Sequence, residues 1–439
     1  MGIQEQANQS RRRENGGGFC YYTVKSMSKK KKILKTISLA LSLSTCFALG
    51  GCDALKDLLE SVEQQVISSI LGNISSDEEA SGGEAPSEDS SVEDSPTENS
   101  GNAGGLDSSE VGDGSTVIDQ DLSIHFLELG NKYTGDCTLI KVGDTEVLID
   151  AGSRKGSAAT LVPYIQEYCT DGILEYVIAT HAHQDHIAGF VGTSKAKGIF
   201  ESFVCETIID YTQTNSDAQI RKEYENYRNA EVAAGASHYT VLECWNNKNG
   251  AQRSYELGEG ITMNFLYQKY YEEKTSDEND YSVCMLLSQG ENHYLFTGDL
   301  EKHGEASLIE SNNLPKCKLF KAGHHGSPTS STTELLAVIQ PEIVCVCCCC
   351  GSDEYTSNVA NMFPSQAFVD RVAPYTDKVY VTTVIADGGT SYMSMNGNIV
   401  VYTKEGEVKV DCSNNDTLFK DTDWFKANRT TPAAWEETT

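Results

Sequence analysis

The sequence predicts an α/β protein of four layers, an αββα sandwich whose chemistry sits at one edge. Two observations predict it. Segments with strand-like alternation and segments with helix-like spacing follow one another through residues 117–412, the mixture that builds layered folds. The densest group of metal-binding side chains, Thr180-His181-Ala182-His183-Gln184-Asp185-His186, follows directly on the short apolar run 174–179, which reads as a buried strand.

Taken in chain order, residues 1–52 form an extension and a leader. The first 26 are polar, with an Arg11-Arg12-Arg13 cluster, and Met27 reads as the true start. Lys29 to Lys32 are basic, residues 36–49 are apolar but interspersed with serine, and Gly50-Gly51-Cys52 closes the segment. The apolar run is too short and too serine-rich for a spanning helix, and the pattern resembles a bacterial lipoprotein signal in which Cys52 carries the lipid. That resemblance implies export and attachment to the outer face of the cell membrane through lipidated Cys52. Residues 53–116 follow as a short amphipathic stalk and an acidic Ser/Glu/Gly linker, expected to be extended and without a packed core. The folded domain is assigned to 117–412 and a polar tail with Trp424, Phe425 and Trp435 to 413–439.

Within the domain, strands are expected at 124–129, 138–142, 146–149, 239–242, 261–266, 282–287, 294–297, 318–321 and 343–347. Helices are expected at 158–168, 216–234, 301–309 and 333–338. Cys345 and the run Cys347 to Cys350 fall where a buried strand is expected, and there cysteine serves as a small apolar residue. A redox or additional metal role for that run stays open. The chain has 15 cysteines and no C-x-x-C pair outside the run, which speaks against a zinc knuckle. Net charge is −30, a poor match to a polyanionic partner, since affinity for nucleic acid rests on cations at the phosphates.

The histidine-rich loop carries the chemistry. Imidazole and carboxylate are the usual ligands of zinc-like metals. From an extended segment His181 and His183 point the same way, while Asp185 and His186 turn toward a neighbouring point, so the spacing offers two metal positions. The loop resembles the H-x-H-x-D-H motif of the metallo-β-lactamase superfamily. Four further segments agree in order: Ile124-His125-Phe126-Leu127-Glu128-Leu129-Gly130 with Gly135-Asp136; Glu146-Val147-Leu148-Ile149-Asp150; Leu295-Phe296-Thr297-Gly298-Asp299; and Lys321-Ala322-Gly323-His324-His325-Gly326-Ser327. The first of these is similar to the branch containing the hydrolase domain of ComEC-type competence proteins. Two departures stand out. Members with two tightly held metals carry another ligand histidine before Asp299, where this chain has only His238 and His293; Asn279-Asp280-Tyr281-Ser282 matches the branch's Asn-x-x-Ser instead. Met362-Phe363-Pro364 replaces a His-Pro. One metal or two is therefore open.

The resemblance implies metal-assisted hydrolysis with one or two Zn2+, or Mn2+. His181 and His183 would hold one metal, and Asp185, His186 and Asp299 the other. His324 or His325 supplies a remaining ligand, the choice being open. Asp185 is also a candidate proton acceptor from the attacking water. Ser327 is a candidate donor to a phosphoryl oxygen, with a turn or cap role as the alternative. Asp150 is expected to orient a ligand from behind, and Asp136 to support local structure. The implied substrates are phosphoesters: DNA, or a small cationic phosphoester, which the acidic surface favours. A non-catalytic surface binding protein on the same fold is the reading from another class.

Overall fold

The computed structural model describes residues 122–436. The leader, Cys52, the stalk and the linker lie outside the described residues. Strands are numbered in chain order. One sheet of eight runs β16 (Glu407–Cys412), β15 (Ile399–Lys404), β1 (Leu122–Phe126), β2 (Thr138–Val142), β3 (Thr145–Ile149), β4 (Ile173–Ala179), β5 (Val204–Asp210), β6 (Ser237–Thr240). The second runs β14 (Ser391–Ser394), β13 (Val379–Ala386), β12 (Ile343–Cys350), β11 (Leu319–Lys321), β10 (Asn292–Phe296), β9 (Met285–Gln289), β8 (Ile261–Phe265), β7 (Ser254–Gly258). In each sheet antiparallel hairpins flank a parallel core, β3–β4–β5–β6 in one and β10–β11–β12–β13 in the other.

Three apolar clusters make the layers. Alternate residues of both sheets, among them Ile124, Ile140, Val147, Ile178, Met263, Leu287, Phe296 and Cys345, meet in a shared core. The opposite face of the first sheet, with Leu148 and Val177, packs on Leu161, Ile165, Ile187, Phe190 and Tyr224 of three helices. The opposite face of the second, with Phe320 and Val344, packs on Leu308, Leu335, Phe368 and Val372 of three others. Helix, sheet, sheet, helix is the predicted αββα order.

The helix at Ala158–Tyr168 and strand β2 lie where the spacing put them. The strand expected at 239–242 is different: it ends at Thr240, and Val241–Trp245 is a helix. Thr240 and Glu243 form a reciprocal capping box there, with Thr240 N donating to Glu243 Oε2 at 2.8 Å. Two satisfied backbone donors outweigh the strand preference of Val241. The cysteine run is continuous β-strand, wholly buried, with Cys345 and Cys347 in the shared core and Cys348 and Cys350 in the outer one. All are free thiols, and burial pushes each of them up from the ordinary thiol range. Past residue 412, Phe419, Phe425 and Trp435 are buried in the outer core, and Trp435 Nε1 donates to Thr376 O at 2.9 Å. Packing therefore continues beyond the predicted boundary, because large aromatic surface is favourably buried. No helix among the described residues is long and apolar enough to cross a membrane.

Candidate metal centre

The site forms where the C-terminal ends of the two parallel cores face each other. On the first sheet, Asp150 ends β3 in a left-handed conformation with φ of 58°. Its carboxylate accepts from Thr180 N and Thr180 Oγ1, both at 2.7 Å, and so clamps the loop after β4. The same carboxylate accepts from His186 Nδ1 at 2.7 Å. The His186 proton is thereby placed on Nδ1, and the lone pair of Nε2 faces the site. The loop sits so close that a Cβ on Gly152 would lie 1.5 Å from the Asp185 carbonyl oxygen. His181 is fully buried, and its Nε2 lies 3.0 Å from His183 Nδ1.

On the second sheet, Asp299 follows β10, and its backbone N donates to Ser282 Oγ at 3.0 Å. The turn after β11 brings in His324 and His325, both left-handed, at φ 46° and 54°. That conformation is strained for residues with a Cβ and persists where the surroundings fix it. Here the fixing contact is His325 Nδ1 donating to Cys347 O at 2.8 Å, which turns its Nε2 inward. His324 turns away: its Nδ1 is 3.2 Å from Glu301 Oε1 and its Nε2 is 3.8 Å from Asp299 Oδ2.

The inward atoms converge. Asp299 Oδ2 is 3.1 Å from His186 Nε2 and 3.2 Å from His325 Nε2, and His325 Nε2 is 3.5 Å from Asp185 Oδ2. Ligand atoms of Asp136, His186, Asp299 and His325 all lie within 4.8 Å of one another. His186 Nε2, His325 Nε2 and both Asp299 oxygens are buried without a hydrogen-bond partner. Buried polar atoms of native proteins are rarely left so, and a donor set of imidazole nitrogen and carboxylate oxygen suits a divalent cation. The residues present fit one.

The surrounding carboxylates favour positive charge at this point, which protons on the imidazole Nε2 atoms or a bound cation in their place can supply. Burial lowers His186 and His325, but the Asp299 charge, aided by Asp150 and Asp136 respectively, outweighs it and holds both imidazoles well above their ordinary range. Burial raises Asp299, yet His186, His325 and His324 drive it well below the usual carboxylate range. His181, lowered first by burial and then by its histidine neighbours, stays neutral.

The structure thus brings His181, His183, Asp185, His186, Asp299 and His325 together, with His324 at the rim. Ser327 is different. Its Oγ is hydrogen-bonded to Thr329 Oγ1 at 2.8 Å and accepts from Thr329 N at 3.2 Å, so it holds the turn and is absent from the cavity wall. Asp136 carries more than local structure: it pairs with buried Lys321 and lies 3.2 Å from His325 Nδ1. The cavity over the site, about 450 Å³, is lined by Arg154, His183, Gln184, Asp185, Asn279, His324, Glu354 and Tyr355. Tyr355 is half exposed, yet its hydroxyl donates to Asp185 Oδ2 at 2.6 Å. Arg154 pairs with Glu354 at 2.5 Å. Sequence reasoning missed Lys321, Arg154, Glu354 and Tyr355. Only Lys321 left a signal, as a charge at the end of a strand that leads straight into the histidine pair.

Residues 130–210, which hold Asp136, Asp150 and the histidine loop, match the model of the metallo-beta-lactamase superfamily. This stretch of the chain is similar to the metallo-beta-lactamase superfamily. Relatives of this domain include Recombination protein 2 of Haemophilus influenzae, 29% identical over 218 residues, which are 48% of this chain and 23% of that protein. Competence protein ComA of Neisseria gonorrhoeae is 25% identical over 256 residues, 56% of this chain and 29% of that protein. The chain spans about a quarter of the length of these two relatives. Among solved structures, the metallo-beta-lactamase fold protein YhfI of Bacillus subtilis is 14% identical, covering 64% of this chain and 100% of its own, with a TM-score of 0.33.

Proposed function

We propose that this chain is a metal-dependent hydrolase of phosphoesters, carried on the outer face of a membrane by a lipid on Cys52 and spaced from it by residues 53–116. The convergence of unpartnered His186 Nε2, His325 Nε2 and Asp299 oxygens in a buried pocket carries the reading. His181 and His183 would hold one divalent cation; His186, His325, Asp185 and Asp299 would hold the other. A divalent cation held there, zinc or manganese, would lower the pKa of a bound water toward neutrality and so make hydroxide available. The protein's own part is positional. Asp150 and Cys347 O fix the two imidazoles in the tautomer that presents Nε2. Asp185, held far below the ordinary carboxylate range by His325 and His186 against its own burial, stays ionised and is placed to accept a proton. Tyr355 steadies it.

The cavity has room for one phosphoester group and its flanking atoms. The acidic chain favours a small cationic phosphoester, whereas the names of the relatives, recombination and competence proteins, favour DNA. Metal content of the purified chain, followed by turnover of bis-p-nitrophenyl phosphate with zinc or manganese, tests the reading. Bound metal with turnover lost on chelation is the expected result; a chain that takes up no metal refutes it. Steep salt dependence of turnover marks a polyanion, and a flat response marks a small ester.

A further inference from the structure

The metal-dependent reading leaves the His181–His183 position one protein ligand short, and we propose that Asn279 supplies it through its amide oxygen. Asn279 lies in the short helical turn Glu278–Tyr281, is 7% exposed, and lines the cavity beside His183, Asp185 and His324. Its amide nitrogen donates to Glu301 Oε1 at 3.2 Å. A carboxylate only accepts, so this bond fixes which end of the amide is nitrogen. The oxygen therefore points the other way, and it is buried without a hydrogen-bond partner. The turn is tied to the metal loop: Val283 N donates to Thr180 O at 2.9 Å, and Ser282 Oγ lies 3.4 Å from His181 Nδ1.

The two histidines that precede Asp299 in this stretch are engaged elsewhere. His238 Nε2 is 2.9 Å from Asp210 Oδ1, and His293 Nδ1 is 2.9 Å from Ser288 Oγ at the outer end of its strand. Asn279 then makes the set two imidazole nitrogens and one neutral oxygen. That set is harder and weaker than three imidazoles, which narrows the preference for zinc over manganese. The two positions of the centre accordingly differ: a tight one at His186, His325, Asp185 and Asp299, and a looser, exchangeable one at His181, His183 and Asn279.

Manganese titration of the full chain, read by electron paramagnetic resonance and by metal retained against graded chelator, tests this. Two classes of site are expected. Asn279→Ala weakens the looser class at least tenfold, Asn279→Asp restores it, and Asn279→His converts it to a tight zinc site. Thermal melting of the metal-free variants checks that each is folded, and the Asp and His variants carry the test if the Ala variant is not. Equal manganese binding by wild type and Asn279→Ala overturns the inference, as does loss of the looser class with His324→Ala but not Asn279→Ala. A wild type that binds no metal overturns the functional reading itself.

Discussion

Asp150→Asn isolates the role of proton placement in this centre. The native carboxylate accepts three hydrogen bonds of 2.7 Å, two from Thr180 and one from His186 Nδ1. Asparagine keeps one acceptor. If its oxygen serves Thr180 N, its NH2 faces Thr180 Oγ1 and His186 Nδ1. The hydroxyl can rotate to accept, but Nδ1 can accept only by giving up its proton. The proton then sits on Nε2, the atom that faces Asp299 at 3.1 Å, and the lone pair offered to a cation is gone. Loss of such a partner behind a ligand imidazole lowers metal affinity by roughly 10–100-fold, or about 1.4–2.7 kcal/mol. The assay is a chelator competition at pH 7.5 with wild type and variant, after matched melts of the metal-free proteins. Affinity of Asp150→Asn within about twofold of wild type refutes the tautomer argument, because the variant changes the hydrogen-bonding pattern and almost nothing in shape.

Other expectations follow from burial and packing. His125 is buried against Tyr164 and Ser123, and burial, with the Lys141 charge, lowers it from 6.5 to about 4. A folded pKa below the unfolded one gives stability that is full above pH 6.5 and lost as pH falls toward 4; the loss from this group is about 3 kcal/mol. His125→Gln should flatten that segment of a stability–pH curve measured by urea titration, and an unchanged slope refutes the assignment. Lys321→Met leaves Asp136 and Asp299 with an uncompensated buried charge and should cost about 3–5 kcal/mol, partly recovered by adding Asp136→Asn; no recovery in the double variant counts against the pairing. Phe425→Ala removes a fully buried ring of the outer core and should cost about 3–5 kcal/mol by denaturant titration, whereas a loss under about 1 kcal/mol would show that the segment is only draped on the domain.

The histidine loop was legible because its residues are contiguous and its geometry is set by one strand end. Part of the parallel core was legible for a similar reason, since β4, β10 and β12 are short apolar runs, whereas β5 and β13 were not among the expected strands. Strands β15 and β16 were not legible, because their partly exposed residues, such as Thr403 and Lys409, carry little apolar alternation, and what fixes them is the pairing of β15 with β1, some 270 positions away, and of β16 with β15. The role of Ser327 stayed open because a hydroxyl beside a ligand histidine looks the same in sequence whether it faces substrate or closes a turn. Arg154, Glu354 and Tyr355 meet only after both sheets are assembled, and no local pattern announces them.

The position of β1 sets the timing of assembly. It lies between β2, which begins at Thr138 soon after it, and β15, which is made near the end of the chain. During synthesis, one whole edge of β1 offers unpaired backbone donors and acceptors until residues 399–404 have emerged. The nascent polypeptide therefore passes through a prolonged stage with an adhesive strand edge uncovered. Its yield in a cell should depend on holding factors and on the rate of elongation well before any question of metal supply arises.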